Sequence, residues 1–109
     1  MVEYTLSLDT IFGSLADATR RDILQRVAER ELSVSEIAQP YDMSLAAISK
    51  HLKVLERAKL IIKRKKGKEH LVQLVPQAFA DAADYLQWYR KLWEGRLDSL
   101  EQYLKETEE

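Results

Sequence analysis

Between Met43 and Leu60 the chain repeats an apolar residue every three or four positions: Leu45, Ile48, Leu52 and Leu55. An α-helix turns that spacing into one continuous face. At about 100° per residue, Ala46, Ser49, Lys50, Lys53 and Arg57 gather on the other side. That side carries hydroxyls, small apolar groups and cations, with no cluster of acids. A face made only for solvent usually mixes signs. This helix is therefore expected to lie against something polyanionic and flat-edged, with DNA the first candidate. The rest of the chain reads as what holds this helix, steadies it, or duplicates it in a second subunit.

The sequence before it supplies a brace. Ser33-Val-Ser-Glu36 is a capping box, which opens a short helix through Val34, Ile37 and Ala38. Pro40 ends that helix, because it lacks the amide needed for continuation and pushes Gln39 out of the α region. Ser44 then caps the central helix. A short helix, a brief turn and a longer helix make a helix-turn-helix. Further upstream, residues 5–15 place Leu6, Leu8, Ile11, Phe12 and Leu15 in a loose helical period. Asp17 is suited to cap a second helix over about 18–30. There Ile23, Leu24 and Val27 are expected inside with Ala28 beside them, and Arg20, Arg21 and Arg26 on the surface.

After Leu60 the pattern changes. Ile61 and Ile62 are β-branched, Lys63-Arg64-Lys65-Lys66-Gly67-Lys68 is a basic run with one turn glycine, and His70 to Val75 favours strand. A hairpin around Gly67, ended by Pro76, turns the helix-turn-helix into a winged helix. Residues 77–105 return to a helical period in which Phe79, Ala82, Leu86, Tyr89, Trp93, Leu97, Leu100 and Leu104 form a stripe widened by Trp88 and Leu92. Gly95 interrupts it, at a cost of about 1 kcal/mol relative to Ala. So long and aromatic a stripe exceeds what a small core covers, which marks it as a subunit interface. The predicted fold is mainly α with a small β-hairpin, in the order α-α-α-α-β-β-α. It is one domain over 1–109, with the dimerisation helix at 77–105.

The formal net charge of −1 conceals a partition. Residues 43–68 hold nine Lys or Arg against Glu56, a local +8, whereas residues 76–109 hold four against eight acids, a local −4. For a polyanion the local field matters more than the total. The chain has no cysteine, which excludes disulfides and thiolate metal sites. It has no apolar run near the ~18 residues of a membrane span, and no basic-then-apolar signal pattern. A cytoplasmic protein is the default expectation. Two histidines and no Gly-rich phosphate loop leave no constellation for an enzyme and no cofactor to expect.

Three blocks carry a resemblance: Leu15-Ala-Asp-Ala-Thr-Arg-Arg-Asp-Ile-Leu24, Leu32-Ser-Val-Ser-Glu-Ile-Ala38, and Met43 through Ile61. Together they resemble the ArsR/SmtB family of bacterial and archaeal repressors, over about residues 8–75. The tail Tyr85 to Leu100 is similar to a metal-independent branch of that family. The resemblance implies a homodimeric winged helix-turn-helix, paired through its terminal helices. It also implies operator binding that blocks transcription, often of the regulator's own operon. The interface residues it implies are Leu8, Ile11, Phe12, Leu86, Tyr89, Trp93, Leu97 and Leu100.

Two departures from the family bear on chemistry. Many members sense metals through a Cys-Val-Cys pair where this chain has Ser33-Val34-Ser35, and serine is a poor ligand for soft or borderline cations. Other members place His and Asp ligands on the last helix. Here that helix has no histidine, and Asp81, Asp84, Glu94 and Asp98 offer at most a hard-cation site. Leu45 stands where many relatives carry Gln, which exchanges a bidentate adenine reader for apolar contact with thymine methyls.

The candidate DNA contacts are Ser44, Leu45, Ala46, Ser49, Lys50, His51, Lys53 and Arg57 on the recognition helix, and Lys63, Arg64, Lys65, Lys66, Gly67 and Lys68 on the wing. Lys53 and Arg57 lie farther along the helix and suit phosphates, which position without specifying. His51 sits at the edge of the apolar arc and reads equally as a core-edge residue. Arg20 and Arg21 either reach phosphates or pair with Asp17 and Asp22, and His70 reads as a strand residue. Two other functions fit the same scaffold: a protein-interaction module that no longer uses DNA, and a metal- or ligand-responsive switch.

Overall fold

The computed structural model describes residues 2–107, and side chains from residue 7 onward. Its elements are α1 (Val2–Ser14), α2 (Ala18–Glu29), β1 (Leu32–Ser33), α3 (Val34–Ala38), α4 (Leu45–Arg57), β2 (Ile61–Lys66), β3 (Glu69–Leu74) and α5 (Pro76–Thr107). The expected place of Leu6 in the first helix's apolar period lies outside the described side chains. The chain separates into two compact units, Met1–Phe79 and Ala80–Glu109.

In the first unit each helix starts where a side-chain oxygen meets free amides. Asp17 accepts from the Arg20 amide at 3.0 Å, which holds its carboxyl below its ordinary value. Ser44 Oγ accepts from the Ala47 amide at 3.1 Å. The capping box is complete: Ser33 Oγ accepts from the Glu36 amide, and Glu36 Oε1 accepts from the Ser33 amide, a bond that lowers the glutamate's pKa. The core lies where α2, α3 and α4 meet the sheet. Ile23, Ile37, Ile48, Leu52, Leu55, Leu60, Ile61 and Val72 are fully buried in it. Each contributes about 1.5–3 kcal/mol relative to exposure.

Four expectations are corrected. Gln39 keeps αR angles before Pro40, φ −52° and ψ −48°, and its amide still bonds the Ser35 carbonyl at 3.1 Å, so α3 ends without Gln39 leaving the α region. The sheet has three strands, ordered β1-β3-β2, because Leu32 and Ser33 pair antiparallel with Val72 and Leu71. Two residues are too short to show a period, and Ser33 reads as a cap. The order is therefore α-α-β-α-α-β-β-α. Ala28 is exposed rather than beside the core. Arg26 turns inward, where Nη1 and Nη2 donate to the carbonyls of Ile37 and Glu36, both at 2.8 Å. Those carbonyls end α3, where a cation is favoured by the helix dipole.

The exit from α4 is a Schellman turn: the Leu60 amide bonds the Leu55 carbonyl at 3.1 Å, and the Lys59 amide bonds that of Glu56 at 2.9 Å. The turn needs a left-handed residue, and Lys59 takes φ 60°. Glycine adopts that region without penalty, whereas a Cβ makes it cost about 1 kcal/mol. We expect Lys59→Gly to raise unfolding stability by up to about 1 kcal/mol in urea titrations. An unchanged or lower midpoint would show that the lysine makes offsetting contacts.

In the hairpin, Gly67 takes φ 63° at the first of two turn positions, between the paired Lys66 and Glu69. A type II′ hairpin asks for glycine there. The second unit is the greater part of α5. Nine large apolar side chains of this helix, from Leu86 to Leu104, are between 37% and 62% exposed. Gly95 does not break the helix. Ion pairs one turn apart, Arg90 with Glu94 and Lys105 with Glu101, line its polar side.

Candidate nucleic-acid interface

Helix α4 has two chemically distinct sides. Ile48, Leu52 and Leu55 are fully buried, while Ala46, Lys50, Lys53 and Arg57 are exposed and Ser49 is half-buried. Leu45 shares the buried side's angle yet is 63% exposed. It therefore does not join Ile48, Leu52 and Leu55 in the buried face. Leu45, Met43 (40% exposed) and the cap Ser44 leave an apolar and hydroxyl tip at the start of the helix.

The turn before α4 is held by side chains of α2 and α3. Tyr41 donates its phenol proton to Asp22, and the Arg26 guanidinium lies 5.4 Å from the Tyr41 ring centre. Burial pushes the Tyr41 phenol pKa up. Since Arg26 is also bonded to the end of α3, one arginine fixes both the brace helix and the turn. Arg20 and Arg21 likewise face backbone rather than Asp22. Arg20 donates to the carbonyls of Ser14 and Gly13, and Arg21 donates to that of Leu15 at 2.8 Å.

In the wing, the six candidates divide. Lys65, Lys66, Gly67 and Lys68 are exposed at the tip, and the three lysines have no ion-pair partner among the described residues. Lys63 is half-buried opposite Val72. Arg64 is bound to Glu31 at 2.6 Å, which ties the middle of β2 to the loop after α2. A carboxylate at that distance competes with any phosphate for the same guanidinium. His70 is exposed on β3 opposite Lys65.

Leu8 and Ile11, implied as interface residues, are 7% and 3% exposed within the single chain, and Phe12 is half-buried. The first two therefore have little apolar surface left for a second copy. Leu86, Tyr89, Trp93, Leu97 and Leu100 are all exposed. Among the described residues no group of three or more His, Cys, Asp or Glu is placed to hold a metal ion, and no helix is long and apolar enough to cross a membrane.

A family model described as a helix-turn-helix domain matches residues 15–64, the span from the end of α1 into the wing. The chain is 42% identical over 74 residues to the HTH-type transcriptional regulator Rv2034 of Mycobacterium tuberculosis, covering 68% of this chain and 69% of that one. It is 27% identical over 79 residues to the transcriptional repressor SdpR of Bacillus subtilis, covering 72% and 88%. Its fold matches the crystal structure of an ArsR family transcriptional regulator with a TM-score of 0.78 and 34% identity, over 83% of this chain and 93% of that one. With its two-sided α4 and basic wing, this chain belongs to the ArsR/SmtB family of winged helix-turn-helix, DNA-binding transcriptional regulators.

Proposed function

We propose that this regulator is a homodimeric repressor. It acts in the cytoplasm, and its two α4 helices enter successive major grooves of a pseudo-palindromic operator. The observation that carries the reading is the division of α4: one side fully buried, the other exposing Lys50, Lys53 and Arg57. The amino-terminal half of the helix supplies base contacts through Leu45, Ala46, Ser49 and Lys50. Lys53, Arg57 and the wing tip hold phosphates. Pairing through α5 sets the two reading helices about 34–36 Å apart, one turn of B-DNA. Occupation of the operator blocks the promoter. Ser33 and Ser35 in the brace region favour binding that needs no metal.

The test begins with selection of bound fragments from genomic DNA, followed by mobility shifts on the recovered site. Lys50→Ala and Lys53→Ala are each expected to weaken the complex by about tenfold, the first with relaxed sequence preference and the second uniformly across sequences. EDTA should leave the shift unchanged. Full operator affinity in both lysine variants would remove α4 from the interface.

A further inference from the structure

The arginine pair that opens α2 is the part of the sequence that DNA contact leaves unexplained. Arg20 is half-buried, with three acceptors around one guanidinium. Its Nε donates to the Ser14 carbonyl at 2.7 Å, its Nη2 donates to the Gly13 carbonyl at 3.3 Å, and its Nη1 lies 3.3 Å from His51 Nδ1. A guanidinium carries donors only, so a hydrogen bond across this 3.3 Å requires Nδ1 to accept and the imidazole proton to sit on Nε2. The competing arrangement, Nδ1–H given to Asp17, fails on distance. Asp17 Oδ1 is 3.9 Å away, beyond hydrogen-bond reach, and that oxygen already accepts from the Arg20 amide.

We propose that Arg20 is a positioning residue for the recognition helix. Anchored on the carbonyls that end α1, it locks His51 in the Nε2–H tautomer and sets the rotation of α4 about its own axis. The anchor is favourable because those carbonyls are the negative end of a helix dipole. The lock matters because the buried face of α4 is apolar, and apolar contact is non-directional. Ile48, Leu52 and Leu55 keep the helix on the core, but a small roll costs them little. A roll of 10–20° is about the tolerance of a functional constellation, and it would move Ser49 and Lys50 off their base edges. A directed bond at the flank of the helix removes that freedom. His51 is placed for it, with its side chain 20% exposed at the edge of the buried arc.

The inference rests on α4 being the helix that reads DNA, and the experiment separates the two. Imidazole ¹H–¹⁵N spectra of the full chain should show His51 with Nδ1 bare and Nε2 protonated. The chain has two histidines, and His51→Asn assigns the signal. Arg20→Met should give a tautomer mixture and weaken operator binding about tenfold. Because Arg20→Met removes three bonds and can unfold the domain, a second pair of variants carries the same test. In His51→Asn the amide oxygen takes the place of Nδ1 as acceptor, whereas His51→Leu offers none. The asparagine variant is expected to bind operator about fivefold or more tightly than the leucine variant. A protonated Nδ1 in the unmodified protein would overturn the proposal, as would equal binding by the two His51 variants. Full operator affinity in both Lys50→Ala and Lys53→Ala would overturn it at its premise, with the spectrum then reporting only a structural bond.

Discussion

Replacing Lys65 and Lys66 together by Glu is expected to abolish operator binding at moderate salt while leaving the fold intact. Both lysines are exposed at the wing tip, and neither is paired with an acid among the described residues. Their removal takes nothing from the core. Affinity for DNA comes largely from counterions released as cations meet phosphates, so each lost contact lowers the slope of log affinity against log salt by about 1. Reversal goes further than removal, because it sets a carboxylate against the phosphate. In a dimer the change occurs at both wings. The loss should reach random and operator DNA alike, since wing contacts of this kind position rather than specify. Salt-dependent anisotropy with both DNAs measures it. The folded state carries only a small penalty. Lys66 stands opposite Glu69 in the strand register without an ion pair to it, so a carboxylate in place of that lysine meets a like charge, at about 0.2–1 kcal/mol. Equal salt slopes for variant and parent would take the wing out of the interface. Arg64 is expected to behave differently from its neighbours, because Glu31 already occupies it.

Trp93→Asp or Leu97→Asp in α5 is expected to give monomers. These residues are 57% and 58% exposed in the single chain, on the same side as Leu86, Tyr89 and Leu100. Within a paired helix face that exposure would be covered. An unpaired carboxylate placed there costs several kcal/mol, and two-fold symmetry imposes the cost twice. Within the protomer the substitution costs the weak helix propensity of Asp, about 0.6 kcal/mol, and at Trp93 also the Arg96 guanidinium that lies 5.9 Å from the ring centre. Sedimentation equilibrium should therefore report a folded chain of half the mass. Operator affinity should fall by a factor of about 10²–10⁴, the avidity that joining two half-site contacts confers. Lys91→Asp, on the opposite side of α5, serves as the control and should stay dimeric. An intact dimer in both stripe variants would place the interface elsewhere.

The helix-turn-helix was legible because each of its signals is local. Ser33 and Glu36 close a capping box three residues apart, Pro40 cannot continue a helix, and Ile48, Leu52 and Leu55 repeat at the helical period. Such features depend on neighbours in the chain, and the helix boundaries appear in the structure where the pattern put them, although Gln39 stays in the α region before Pro40. The hairpin around Gly67 was readable for the same reason, since a two-residue turn leaves little choice of register. The cations opposite the buried face of α4 followed from angle alone.

What the sequence could not carry is whatever depends on a partner distant along the chain. Leu45 has the angle of a core residue and the exposure of a surface one, because burial depends on what lies opposite and not on period. β1 exists only because Val72 and Leu71 offer an edge to Leu32 and Ser33. Arg20, Arg21 and Arg26 look like surface cations in a list of residues. Folding brings the ends of α1 and α3 beside them, and unsatisfied carbonyls at a helix end attract a nearby guanidinium more strongly than water-screened acids do. The sequence by itself determined which segments are helix, turn and wing, since capping, φ restriction and periodicity act within a few residues. Tertiary structure alone decided which cations face solvent and which fasten the scaffold, because a long basic side chain goes to whichever acceptor the fold presents.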